Sequence, residues 1–136
     1  MKKRIMIVDD DKEFLDELSD LMLSSGYDVC TCIDGARALA EIPEVMPDII
    51  LLDLKMNNIN GFQVAVRLKA IPKACDIPII AMTGYYTQDE YALMIKICGI
   101  KKFIIKTADP GNIVREVKLV LAGLSTRNTH EKANNN

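Results

Sequence analysis

No run of apolar residues in this 136-residue chain approaches the ~18 that a membrane-spanning helix requires. The amino end, MKKRIMIVDDD, has a basic start, but its apolar stretch stops at three aspartates and is too short for a signal peptide. A cytoplasmic location is expected. A basic surplus is also missing. Lys and Arg number 17 against 19 Asp and Glu, the formal net charge is −2, and the cations are scattered, so direct nucleic-acid binding is not expected. The single histidine, His130, lies in a polar tail, and Cys30, Cys32, Cys75 and Cys98 lack the spacing of a zinc site. They read as reduced, buried small hydrophobes. No internal repeat and no linker leads into a second module.

What remains fits one domain with one core: the length is typical, and 49% of residues are hydrophobic. Five aliphatic runs recur, at about Arg4–Val8, Val29–Ile33, Asp48–Leu52, Ile77–Met82 and Phe103–Ile105. The first, third and fourth are nearly continuous rather than alternating, the pattern of strands covered on both faces in a parallel sheet. Helical stripes lie between them. Phe14, Leu18, Leu21 and Met22 end at Gly26; Ala36, Leu39 and Ala40 end at Pro43; Val64, Leu68 and Ile71 end at Pro72. Tyr91, Met94, Ile95 and Cys98 precede Gly99, and Ile113, Val117, Val120, Leu121 and Leu124 form the last stripe. This β-then-α alternation predicts an open, doubly wound α/β domain over residues 1–124. Residues 125–136 are polar and aperiodic and are expected to be a disordered tail.

Such sheets bind ligands beyond the carboxyl ends of their strands. Asp9 and Asp10 follow the first run, Asp53 the third, Thr83 the fourth and Lys106 the fifth, while Asp34 follows the second. Three adjacent aspartates repel one another. Asp10 with Glu13 fits a capping box for the first helix, which explains one acid but not three. Clustered carboxylates suit Mg²⁺, and a carboxylate can also attack a phosphoryl group to give an aspartyl-phosphate. Metal, ammonium and hydroxyl would then spread the charge of the transferred oxygens.

Over Lys3 to Leu124 the sequence resembles a response-regulator receiver domain of two-component signalling, of the single-domain, chemotaxis-regulator-like kind. The resemblance rests on IMIVDDD, PDIILLDLKMNNINGFQV, IPIIAMTG and KKFIIKTADP, in that order. It implies a flavodoxin-like (βα)5 fold with strand order 2-1-3-4-5. It also implies that Asp53 accepts a phosphoryl group from a histidine kinase or histidine phosphotransfer protein. Asp9 and Asp10 would hold Mg²⁺, with Asp10, Asp53 and the backbone carbonyl of Lys55 as ligands. Thr83 and Lys106 would contact phosphoryl oxygens, and Phe103 would be the switch aromatic that turns inward with Thr83.

Thr107 follows Lys106 where the family usually has a proline in a cis bond, which leaves the isomer open. Asn57 replaces a common proline and loosens the loop beside Asp53. Lys55 and Tyr85 flank the path of hydrolytic water, where they would slow dephosphorylation. The greasy region around Met94, Ile95, Ile97, Ile100 and Phe103 corresponds to the family's partner or dimer face, with Ile97 and Ile100 expected to be exposed. The implied protein is a signalling switch rather than an enzyme. It catalyses only its own phosphorylation and dephosphorylation, acts on an unknown downstream protein, and dimerises on activation or stays monomeric. A phosphatase with an aspartate nucleophile would need an acid two residues after it, where Lys55 stands. The alternative is a docking scaffold that works without phosphorylation. Either a stand-alone regulator or a receiver from a longer chain fits.

Overall fold

Aliphatic and β-branched residues pack well on a pleated surface, and the apolar runs become five strands in the computed structural model, which describes residues 2–84, 96, 98–106 and 109–123. In chain order the elements are β1 (Arg4–Val8), α1 (Lys12–Ser24), β2 (Asp28–Cys32), α2 (Gly35–Val45), β3 (Ile49–Asp53), α3 (Gly61–Lys69), β4 (Ile79–Thr83), β5 (Lys102–Ile105) and α4 (Pro110–Leu121). All strand pairs are parallel and the sheet order is β2-β1-β3-β4-β5. This is the expected doubly wound α/β architecture.

Successive side chains on a strand point to opposite faces. Met6, Val8, Ile50, Leu52, Ile79 and Ala81 therefore meet Ala38 and Ile42 of α2 and Val64, Ala65 and Leu68 of α3. Their neighbours Ile5, Ile7, Ile49, Leu51, Ile80 and Met82 meet Leu15, Leu18 and Met22 of α1 and Ile113 and Val117 of α4. Each fully buried aliphatic side chain contributes roughly 1.5–3 kcal/mol, so the two layers hold the sheet between helices on both of its faces. Among the described residues no helix is long and apolar enough to cross a membrane.

Several expected boundaries move by one or two residues. β3 and β4 run to Asp53 and Thr83, so these are the last strand residues rather than the first after a strand. The fourth run starts at Ile79, because Pro78 has no N–H to donate and offers only its carbonyl, to Ile50 N at 3.0 Å. In α2 the expected stripe is displaced. Ala38 and Ile42 are buried, whereas Ala36 and Ala40 face solvent. Pro43 does not end the helix. It lies in the last turn and removes one N–H there, and the helix continues to Val45 with Met46 as its left-handed cap (φ 48°). Gly26, at φ 96°, stops α1 as expected.

Ile100 is the clearest correction. It was expected on the exposed partner face, but it is only 9% exposed and packs in the layer beneath α2 and α3. The reason lies next door: Lys101 N donates to Ile79 O at 2.9 Å, which draws the chain onto β4 one residue after Ile100. Ile97, Met94, Ile95, Tyr91, Tyr85, Thr107, Leu124 and the 125–136 tail lie outside the described residues. The four cysteines are free thiols; Cys32 and Cys98 are buried as expected, whereas Cys30 and Cys75 are only half-buried. Cys32, expected to be reduced and buried, has its thiol pushed up to about 12 by burial and by neighbouring Glu41, so it stays protonated.

Candidate functional site

The parallel register delivers four strand ends to one rim. Asp9 N donates to Cys32 O (3.0 Å), Leu54 N to Met82 O (2.9 Å), and Lys106 N to Thr83 O. Backbone bonds of the sheet thus continue one step past the strands and fix the residues that follow them.

The three adjacent aspartates divide their work. Asp9 is fully buried; its Oδ1 accepts from Asp11 N (2.9 Å), and its Oδ2 lies 2.8 Å from Lys106 Nζ. That second oxygen makes no well-aligned hydrogen bond, so the contact is electrostatic. Asp10 is exposed and accepts from Asn57 N at 3.3 Å, which ties β1 to the loop after β3. Asp11, not Asp10, caps α1, through Oδ1 to Phe14 N at 3.3 Å. The cap is therefore one residue later than expected. With Phe14 at the third helical position it has no reciprocal partner, so the capping box expected from Asp10 and Glu13 does not form and Asp10 is left for the rim. Asp34 likewise serves as a cap, accepting from Arg37 N at 2.7 Å at the start of α2.

Asp53 is 3% exposed at the end of β3. Its Oδ1 accepts from Lys55 N (3.2 Å) and its Oδ2 lies 3.7 Å from Lys106 Nζ. Burial, and then the charge of Asp9, push its pKa up to about 7 against the opposing pull of Lys106 and the Lys55 N–H. Burial lowers the Lys106 pKa, but Asp9 and the charge of Asp53 outweigh it, and the net direction is upward. Thr83 is buried (2% exposed) at the end of β4, and Phe103 is half-buried against the layer of α2 and α3.

Asp9, Asp10 and Asp53 each offer a carboxylate oxygen, and these atoms lie within 4.8 Å of one another. The Lys106 ammonium is in reach of two of these acids, Asp9 and Asp53. An all-oxygen, anionic donor set with a carboxylate oxygen lacking a directed hydrogen bond fits a hard divalent cation. Beside Asp10 an open groove of about 400 Å³ is lined by Leu54, Lys55, Met56, Asn57, Asn60 and Phe62.

Gly61 sets how closely α3 approaches this centre. Asn60 and Gln63 cap the helix reciprocally (2.9 Å each way), and a Cβ on Gly61 would press on the Asp53 carbonyl and stand 2.8 Å from Leu54 Cα. Gly61→Ala is expected to cost about 2 kcal/mol, read as a lower urea midpoint at unchanged slope. An unchanged midpoint would mean that the loop gives way freely.

Sequence reasoning named Asp9, Asp10, Asp53, Thr83 and Lys106, and the structure gathers all five at the rim. It missed Phe14, whose ring centroid lies 4.5 Å from Lys106 Nζ. The available signal was its place three residues after the cap Asp11, in the first turn of the helix that leaves the acid cluster.

Fold and site together define an open five-stranded α/β domain with an acid–lysine centre at the carboxyl rim of its sheet. Residues 5–118 match the family of the response regulator receiver domain, and the chain belongs to that family. It is 31% identical over 118 residues to the transcriptional regulatory protein PrrA of Mycobacterium leprae, covering 87% of this chain and 49% of PrrA. Against the DNA-binding response regulator MtrA of Mycolicibacterium paratuberculosis the identity is also 31%, over 87% of this chain and 51% of MtrA. The chain thus spans about half the length of these relatives. Among solved structures it is similar to a CheY-like receiver domain protein of Methanospirillum hungatei (TM-score 0.83, 25% identity, 90% of this chain and 96% of that one). Chemotaxis protein CheY4 of Vibrio cholerae shares the fold (TM-score 0.84, 24% identity, 88% and 99%).

Proposed function

We propose that this domain is a phosphorylation-controlled switch in which Asp53 is the phosphoryl acceptor and a histidine kinase or histidine phosphotransfer protein is the donor. The observation that carries this is the convergence of Asp53 with Asp9, Asp10 and Lys106: three carboxylates within 4.8 Å and one ammonium 2.8 and 3.7 Å from two of them. An Asp53 oxygen forms the new O–P bond as the P–N bond of the phosphohistidine breaks; the leaving imidazole takes up a proton from solvent and Lys106 keeps its own. Asp9, Asp10, Asp53 and the Lys55 carbonyl would hold Mg²⁺, which supplies charge neutralisation for the phosphoryl oxygens and keeps Asp53 ionised. Lys106 pairs with one phosphoryl oxygen and Thr83 with another, and the Thr83 shift draws Phe103 inward.

The output is a changed surface read by a downstream protein or a second copy of the chain, in the cytoplasm. The domain turns over no other substrate. Lys55 and Tyr85 slow the attack of water on the acyl phosphate.

Incubation with acetyl phosphate and Mg²⁺ is expected to add one phosphoryl group by intact-mass measurement, with acetate leaving. A wild-type protein whose mass does not change under these conditions would sink the reading. Chromatography with beryllofluoride then reports whether activation produces a dimer.

A further inference from the structure

We infer that Phe14 is a positioning residue for phosphoryl transfer: the face of its ring holds the Lys106 ammonium over the acid cluster. The inference rests on the function proposed above for Asp53 and adds a residue to it.

The ammonium lies 4.5 Å from the Phe14 ring centroid, inside the range at which a cation is drawn to the negative face of an aromatic ring. It is thereby held on two sides. Asp9 stands at 2.8 Å and Asp53 at 3.7 Å toward the sheet, and the ring covers it from α1. Lysine is a flexible four-carbon chain with three donors, and carboxylates alone do not fix its direction.

The ring has its own support. Phe14 packs against the layer formed with α1 and α4, and its backbone N–H is the group that Asp11 caps at 3.3 Å. Asp11 thus anchors the backbone that carries the ring, while its own N–H donates to Asp9 Oδ1 at the rim (2.9 Å). The alternative position for the ammonium is also visible. A cavity of about 210 Å³, lined by Phe14, Glu17, Leu18, Lys106 and Pro110, lies beside the ring. Glu17 offers a competing carboxylate there. With an aliphatic residue at position 14, nothing with a negative face opposes a swing of the lysine toward Glu17.

Phe14→Leu keeps an apolar side chain and removes the ring; Phe14→Tyr and Phe14→Trp keep a ring. Phosphorylation by acetyl phosphate with Mg²⁺ is expected to slow about fivefold in Phe14→Leu and to stay within about twofold of wild type in Phe14→Tyr or Phe14→Trp. NMR of the full chain supplies a readout independent of phosphorylation. The Lys106 ε-methylene protons are expected upfield in the wild type from the ring current, at ordinary values in Phe14→Leu, and upfield again in Phe14→Tyr. Equal rates in wild type and a folded Phe14→Leu overturn the inference, and so does a wild type without the upfield shift. A wild type that shows the shift but accepts no phosphoryl group overturns the proposed function, and with it the reaction that Phe14 is said to serve.

Discussion

Asp53→Asn is expected to abolish phosphoryl acceptance and, at neutral pH without divalent cation, to make the domain more stable than wild type. The loss of acceptance follows from chemistry, since an amide oxygen is a poor nucleophile toward phosphorus and the acyl phosphate cannot form. The gain in stability follows from burial. The Asp53 carboxyl is held at about 7 in the fold, against an ordinary value of 3.8, because it is buried beside Asp9. Between those two values the folded chain keeps a proton that the unfolded chain has released. Wild-type stability therefore falls as pH rises through that window. The cost reaches the order of 3 kcal/mol above it.

Asparagine has no such slope and can still accept from Lys55 N. Some of the gain is offset because Lys106 loses one of its two carboxylate neighbours. The net expectation is about 2 kcal/mol at pH 7.5, shrinking to nothing near pH 4, followed by urea denaturation at both pH values. Added Mg²⁺ should narrow the gap at pH 7.5 by stabilising the folded wild type in proportion to ligand occupancy. If Asp53→Asn is no more stable than wild type at pH 7.5 without metal, then Asp53 is not held under electrostatic strain.

Much of this was legible in the chain because its signals are local. The nearly continuous runs at Arg4–Val8 and Ile77–Met82 have no polar face, and only a sheet covered on both sides accommodates that. The acids at 9, 10 and 53, the threonine at 83 and the lysine at 106 stand at strand ends, so a strand assignment correct to within two residues already places them together. What failed depended on side-chain direction. Ile100 looked like surface because it falls outside the helical stripe of Tyr91, Met94, Ile95 and Cys98, in the region that the resemblance makes a partner face. Its burial is decided by one hydrogen bond between Lys101 and Ile79, a partner 22 positions away. The cap of α1 was misplaced for a related reason. Asp10 and Asp11 both precede helical spacing, and only the loop after β3, through Asn57, shows which of them is engaged elsewhere. Phe14 could be read as a core residue of α1 from its spacing; that its ring also meets a lysine 92 positions later required the closed sheet.

Lys106→Met is expected to be the most damaging substitution for stability. Methionine fills the aliphatic part of the lysine site, so the change removes the charge with little loss of packing. Asp9 is fully exposed to its consequences because its own side chain is fully buried: Oδ2 has the ammonium at 2.8 Å and no well-aligned hydrogen bond besides. Asp53 also loses the neighbour that draws its pKa downward, and it takes up a proton at neutral pH. That relieves one acid and leaves the other without a counter-charge in the interior. Breaking a buried pair from one side typically costs 3–5 kcal/mol, and a loss of about 4 kcal/mol is expected without divalent cation.

The double variant Asp9→Asn/Lys106→Met tests the cause. Asparagine keeps the Oδ1 acceptor for Asp11 N and carries no charge, so it should recover more than half of the loss. Asp9→Asn alone should cost less than Lys106→Met alone. This is the signature of coupled charges rather than of two independent packing defects. A Lys106→Met protein within about 1 kcal/mol of wild type, or a double variant whose two losses simply add, would show that the ammonium does not balance Asp9. In that case the rim's charge would have to be balanced from outside the chain even in the resting domain.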